Sequence, residues 1–285
     1  MIRFKVGRGI KMKKIILATL MLLLLFGCDV NTDRLERIKV SGELIRIEDS
    51  FRDFTEIIVV GPFDIVFDQD IASGIELESY ESLIDVFSAE IHDDVLLLYL
   101  LDTSKVSEFT FGEDNLNSSA ILSGSRLKWP NNKKVLNLRI SHQELEKIQV
   151  IGECSIVSED IFAGERLSLE IAGALNFEAA LDMHKFDAEI AGAANLKLSG
   201  SVDVFDIECA GAGTIKAYDL IAKKVNIEIA GACNAKIHAL EEINAEIAGV
   251  GTIKYKGNPT IINFEKAGIG SLKPAEKDKE DQIEI

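Results

Sequence analysis

A glycine recurs through the C-terminal half of this 285-residue chain at a nearly fixed interval, each time closing a short apolar–acidic phrase. The phrases are Leu169-Glu170-Ile171-Ala172-Gly173, Ala188-Glu189-Ile190-Ala191-Gly192, Ile207-Glu208-Cys209-Ala210-Gly211, Ile227-Glu228-Ile229-Ala230-Gly231 and Ala245-Glu246-Ile247-Ala248-Gly249. Weaker copies end at Gly152 and Gly268, and the steps between successive glycines are 21, 19, 19, 20, 18 and 19 residues. A period of this size marks stacked repeats, each burying its apolar face only against its neighbours. The same phrase fits Phe54 to Ile65 with Gly61 in the glycine position, which adds an earlier rung.

Aligning the glycines gives columns. Two residues before the glycine stand Val150, Ile171, Ile190, Cys209, Ile229 and Ile247; four before it, Ile148, Leu169, Ala188, Ile207, Ile227, Ala245 and Phe264; six before it, Leu167, Phe186, Phe205, Val225, Ile243 and Ile262. These apolar columns alternate with polar ones, the period-2 signature of a strand with one buried face. The pattern predicts a strand of about six residues ending at the glycine. The glycine itself should mark a corner, where φ is positive or backbones approach closely. Three residues after it come Ser155, Asn176, Asn195, Thr214, Asn234, Thr252 and Ser271, which suit a hydrogen-bonded ladder. Two charged columns face outward. One holds Glu170, Glu189, Glu208, Glu228, Glu246 and Glu265 beside Asp187, Asp206, Asn226, Asn244 and Asn263; the other holds Lys197, Lys216, Lys236, Lys254 and Lys273. Such ladders read first as solvated faces that keep a parallel sheet soluble. Their sharper reading is a surface for a basic partner or a cation, calcium between the Asp and Glu columns included.

Between the early rung and the regular array lies an insertion, residues 66–134. Ile75-Glu76-Leu77-Glu78, Ile84-Asp85-Val86-Phe87 and Val95 to Leu100 read as strands, with a turn at His92-Asp93-Asp94. Antiparallel strands at one end or side of the stack would satisfy them. The Asn-, Ser- and Gly-rich stretch from Gly112 to Lys134 reads as a long loop that its single tryptophan, Trp129, packs down. Val135 to Ile140 returns to strand.

The N-terminus reads as a targeting segment. Met12-Lys13-Lys14 is followed by an apolar run, Ile15 to Phe26, too short to span a bilayer, and the run ends in Leu25-Phe26-Gly27-Cys28. This resembles a bacterial lipoprotein signal, which implies acylation of Cys28 after removal of residues 1–27. Residues 28–50 then form a tether and leader, with an early strand at Leu44 to Ile47. Multiple acyl chains would hold the protein on a membrane durably. Without the basic leader, 25 basic and 47 acidic residues remain, a net charge of −22. A chain this acidic repels nucleic acid.

No catalytic constellation emerges. His92, His142, His184 and His238 share no column or ligand spacing. The remaining cysteines, Cys154, Cys209 and Cys233, read as small packing residues that the repeat register keeps apart. No metal site or cofactor is expected. A ladder of identical glutamates is not the unequal acid–base pair of a glycosidase.

The Ile-Glu-Ile-Ala-Gly-Ala-x-Asn pattern, the Phe54–Ile65 rung and the Leu145-Glu146-Lys147-Ile148 lead-in together resemble the putative auto-transporter adhesin, head GIN domain family, over roughly residues 51–273. Ala stands here where the family's repeat has Ser before the glycine, and Asn or Thr where it has Asp. The resemblance implies an all-β fold, a right-handed single-stranded parallel β-helix of ~19-residue coils with the antiparallel insertion near its N-terminal end. Residues 274–285 would be a charged tail. It also implies a lipid-anchored protein of the cell envelope, in the outer membrane of a Gram-negative bacterium, facing the periplasm or the outside. A non-enzymatic binding or adhesion module is expected, its partners the membrane, through Cys28, and protein or glycan ligands. The second reading is an assembly component of the envelope that stacks through its open end; the third is a glycan-active enzyme.

Overall fold

In a computed structural model the chain is described over residues 38–50, 54–71, 74–100, 127–128, 130, 134–141 and 144–275. It is a β-solenoid of about seven turns. In chain order the elements are β1 (Ile38–Lys39), β2 (Leu44–Asp49), β3 (Glu56–Val60), β4 (Phe63–Phe67), β5 (Ile75–Tyr80), a helical turn α1 (Glu81–Ile84), β6 (Phe87–His92) and β7 (Val95–Leu100). Then come β8 (Leu127–Lys128), β9 (Leu136–Ile140), β10 (Lys147–Ile151), β11 (Glu153–Ile171), β12 (Ala174–Ile190), β13 (Ala193–Cys209) and β14 (Ala212–Ile229). The last are β15 (Ala232–Ile247), β16 (Val250–Lys256), β17 (Ile261–Lys266) and β18 (Ile269–Pro274).

From β10 onward every pairing between coils is parallel, and Leu169, Ala188, Ile207, Ile227, Ala245 and Phe264 follow one another in register. The strands are longer than the six residues the alternation predicts. β11 to β15 run 16 to 19 residues, bending without leaving the sheet and breaking only at the residue-plus-glycine corner. The apolar alternation continues past the corner through Leu196, Leu198 and Val202 and their counterparts, so a second face lines the same core. The uneven coil lengths have a single outlet. Rungs stay in register from six residues before the glycine to five after it, while shifts fall at Val157/Ile161, Lys197/Ser199 and Lys216/Ile221 on the far side of the coil. One irregular face absorbs every extra or missing residue.

The core is a filled rod. Phe67, Phe162, Phe177, Phe186 and Phe205 form one file with centroid distances of 5.5, 6.5, 6.3 and 5.8 Å, passing between coils at every step but Phe177 to Phe186, which face each other within one coil. Contacts of this geometry add to what area burial alone contributes. Ile57 and Val59 of the early rung are fully buried and pair with Ile148 and Val150.

The insertion joins the sheet rather than leaning on it. β7 pairs in parallel with β3 and β6 closes that edge antiparallel; β9 pairs in parallel with β4, and β5 and then β2 close the other edge antiparallel. Ile84 to Phe87 is not a strand: Glu81–Ile84 makes one helical turn with Leu83 buried beneath it, and the strand starts at Phe87. The turn into β7 lies at Asp93, whose φ of 50° is the left-handed conformation that a short acidic side chain tolerates. Within the expected long loop, Leu127 and Lys128 instead pair with Ile38 and Lys39 as a two-stranded ribbon. Trp129, His142, the Cys28 leader and residues 276–285 lie outside the described residues.

Candidate functional site

The glycine column stacks one residue above the next. A Cβ on Gly173, Gly192, Gly211, Gly231, Gly249 or Gly268 would lie under 3.0 Å from the carbonyl oxygen of the glycine one coil earlier, closer than real Cβ atoms come. Close backbone approach therefore accounts for these six. Only Gly61 and Gly152 have positive φ, 141° and 109°. The stacked carbonyls accept hydrogen bonds across the corner, from Ala193 N to Gly173 O at 2.7 Å and from Ala212 N to Gly192 O at 2.8 Å.

Behind that corner the outer face carries the charged columns. Asn263 Nδ2 donates to Asn244 Oδ1 (2.7 Å), Asn244 to Asn226 Oδ1 (2.8 Å) and Asn226 to Asp206 Oδ1 (2.5 Å). This amide ladder lies five residues before the glycine. In the column three residues after it, where a ladder was expected, Asn195 reaches Asn176 at 3.5 Å and no other side-chain pair is bonded among the described residues. Both columns are in register, so the difference lies in the side chains: the later column interleaves Asn with the shorter Thr and Ser, whereas the earlier one stacks three amides above the Asp206 carboxylate.

Sequence reasoning missed a basic column seven residues before the glycine. Arg166 Nε meets Asp187 Oδ1 at 2.7 Å, Lys185 meets Asp206, and Lys224 meets Glu242 at 3.1 Å. Each of the first two reaches the carboxylate one coil on, so the Asp column is neutralised. The Glu column is not. Lys147 holds Glu170 at 2.5 Å, but Glu208, Glu228 and Glu246 have no ion pair among the described residues. The carboxyl of Glu189 is held above its ordinary range, first by partial burial and then by the like charges of Glu170 and Glu208. What remains is an acidic strip one side chain wide. The lysine column runs on the other side of the corner, where Lys197 pairs with Glu178 at 2.5 Å and Lys236 and Lys256 lie over the Tyr218 ring at 5.6 and 4.9 Å.

A second polar cluster marks the place where the insertion leaves the solenoid. Asp68 is buried, receives the Asp70 N–H at 2.8 Å and pairs with Arg139, which also faces Glu159 at 3.5 Å. The backbone hydrogen bond, then Arg139, holds the Asp68 carboxyl below the usual carboxylate range. The arrangement clamps β4 to β9 and presents no free acid or base to a substrate.

The cysteines correct the expectation of separation. Cys154, Cys209 and Cys233 are free and buried. Cys209 and Cys233 meet across the corner, because Gly213 between them has no side chain: a Cβ there would lie 3.1 and 2.9 Å from their sulfurs. The Cys233 thiol is pushed up by its hydrogen bond to Cys209 and by burial. Column alignment compares like positions, so it overlooks a contact between the residue two before one glycine and the residue two after the next.

His92 contacts Glu90 at 3.0 Å, His184 contacts Asp203 at 2.7 Å and His238 contacts the Tyr218 carbonyl at 3.2 Å, all far apart in the stack. Among the described residues no group of three or more His, Cys, Asp or Glu is placed to hold a metal ion. No helix among them is long and apolar enough to cross a membrane.

The family model described as putative auto-transporter adhesin, head GIN domain, matches residues 53–259. The chain belongs to this family. A putative adhesin from Bacteroides fragilis is similar at 25% identity, with a TM-score of 0.67 over 84% of this chain and 100% of that one. A putative lipid binding protein from Parabacteroides distasonis (22% identity, TM-score 0.58, 85% and 100% covered) and a putative adhesin from Parabacteroides merdae (19%, 0.59, 85% and 100%) share the fold. No curated protein matches the chain. For this GIN-domain chain, a bacterial envelope or surface setting and an adhesion-like role agree with the family and its neighbours.

Proposed function

We propose that this GIN-domain chain is a non-enzymatic binding module of the cell envelope, anchored in the outer membrane of a Gram-negative bacterium by acyl chains on Cys28. The observation that carries the reading is the family membership joined to the acidic strip. Glu189, Glu208, Glu228 and Glu246 repeat one chemistry at strand spacing and point to a ligand that is itself extended and basic or hydrogen-bond-rich, such as a protein segment or a glycan chain. A repeated surface of equal carboxylates gives avidity, not the paired unequal acids that bond cleavage needs.

Protease shaving of intact cells, with Cys28→Ala as control, tests the location. Loss of the protein from intact cells, and its release from the membrane in the control, are the expected results. Digestion only after lysis would sink the surface-adhesion reading, and an unchanged membrane fraction in the control would sink the anchor. A glycan and matrix array probed with wild type and a Glu208→Lys, Glu228→Lys variant tests the strip, with binding lost in the variant.

A further inference from the structure

The last coil is open. Ile262 and Phe264, inward positions by their columns, are 43% and 38% exposed, while Ile243 and Ala245 one coil earlier are buried. Ile261 and Ile269 add 49% and 75% exposure to the same end. β17 pairs with β15 on one side, and no strand among the described residues pairs with its other side. An exposed apolar edge of this kind is a template for another strand. The opposite end is different: its outermost strands, β6 and β2, run antiparallel to their neighbours. Head-to-tail stacking therefore would not continue the parallel ladder, whereas the exposed β17 edge can meet its own copy about a two-fold axis, which closes the assembly.

We propose that this C-terminal edge docks a second copy of the chain through antiparallel pairing of β17 with β17, centred on Asn263. In that register Asn263 lies opposite Asn263, and Ile262 lies opposite Phe264 twice, all on matching faces. Asn263 ends the amide ladder. Its Nδ2 gives one proton to Asn244 Oδ1, which leaves a second N–H and its Oδ1 for the next rung. One donor and one acceptor on each side of a two-fold axis are self-complementary, so the ladder runs on from one copy into the other. Charge does not oppose the pairing: β17 carries one acid, Glu265, and one base, Lys266, in a chain of net charge −16. Residues 276–285 follow Ala275, whose N–H donates to Tyr255 O at 2.7 Å. With five acids and only Ile283 and Ile285 apolar, they match this edge poorly.

The test uses the full chain extracted in mild detergent. A residue on the axis faces its own copy, so Asn263→Cys should give a cross-linked dimer on brief oxidation, against a wild-type blank that carries Cys28 and the three buried thiols. Asn244→Cys, one coil inward, should not. Adding Phe264→Glu to Asn263→Cys should abolish the dimer while the thermal melt of the solenoid persists. Deleting residues 276–285 should leave the cross-link intact. Absence of a dimer in the folded Asn263→Cys chain would overturn the proposal, as would a dimer that forms only once the tail is removed, because the tail would then be the edge's occupant. None of these outcomes depends on where the protein sits or what its acidic strip binds.

Discussion

At the scale of single residues, the glycine column separates two causes that look alike in a sequence. Gly192 has an ordinary backbone and no room for a side chain; Gly164 has a φ of 152° and nothing within 4 Å of where a Cβ would lie. Gly192→Ala must push two coils apart at a corner held by backbone hydrogen bonds, and the expected loss is about 3 kcal/mol or more. Gly164→Ala carries only conformational strain, about 1 kcal/mol. Chemical denaturation of the two variants checks the order. Glu189 offers the reverse case. Its raised pKa means that the folded state disfavours the carboxylate, so the penalty stands at neutral pH and lifts as pH falls through the raised value toward 4.5. Glu189→Gln should stabilise the protein at pH 7 by about 0.3 kcal/mol, small because the side chain is exposed and screened. Melts at two pH values should show the gain disappear in acid. From sequence the column of like charges was plain, but its relief was not: Arg166 and Lys185 lie 21 residues from the aspartates they neutralise, a step longer than the repeat itself.

At the scale of the coil, the buried aromatic file adds side-chain contacts between coils already paired by backbone hydrogen bonds, and it joins the two faces of one coil. Phe186 touches Phe177 on one side and Phe205 on the other. Phe186→Ala should cost about 3–5 kcal/mol, and Phe205→Ala made in the same background should cost less than it does alone, since the two share a cavity. A double-mutant denaturation cycle measures this. Strand faces and the glycine step were legible because period 2 and period 19 are both carried by single residues. Strand length was not, since the alternation slips once at the bend, from Met183 to Phe186, which reads in sequence as a strand end although the strand runs on. Nor was α1: Ile84-Asp85-Val86-Phe87 alternates well enough for a strand, and only the burial of Leu83 against β5 and its neighbours decides for a turn.

At the scale of the whole molecule, column logic treats every rung as interior, and the two ends break it. Ile262 and Phe264 obey the pattern of buried residues and are exposed because no further coil among the described residues covers them. The early rung obeys it and is buried, because the inserted β7 and β9 supply the missing neighbours. The ends are where a repeat protein differs from its repeat, and the candidate partner surfaces divide accordingly: the acidic strip along the side belongs to the repeat, and the apolar edge belongs to the terminus.

The parallel stacking has a mechanical consequence. β2 lies at the N-terminal end of the stack and β18 at its C-terminal end, so a tether on one and a load on the other pull along the stacking direction. Tension then falls on the hydrogen bonds between coils one rung at a time, not on all strands in shear. Such a rod yields at low force in small, evenly sized steps, each releasing one coil of chain. A single-molecule pulling trace should show a ladder of extensions with the glycine period, and a single large rupture would mean that the coils hold together as one unit.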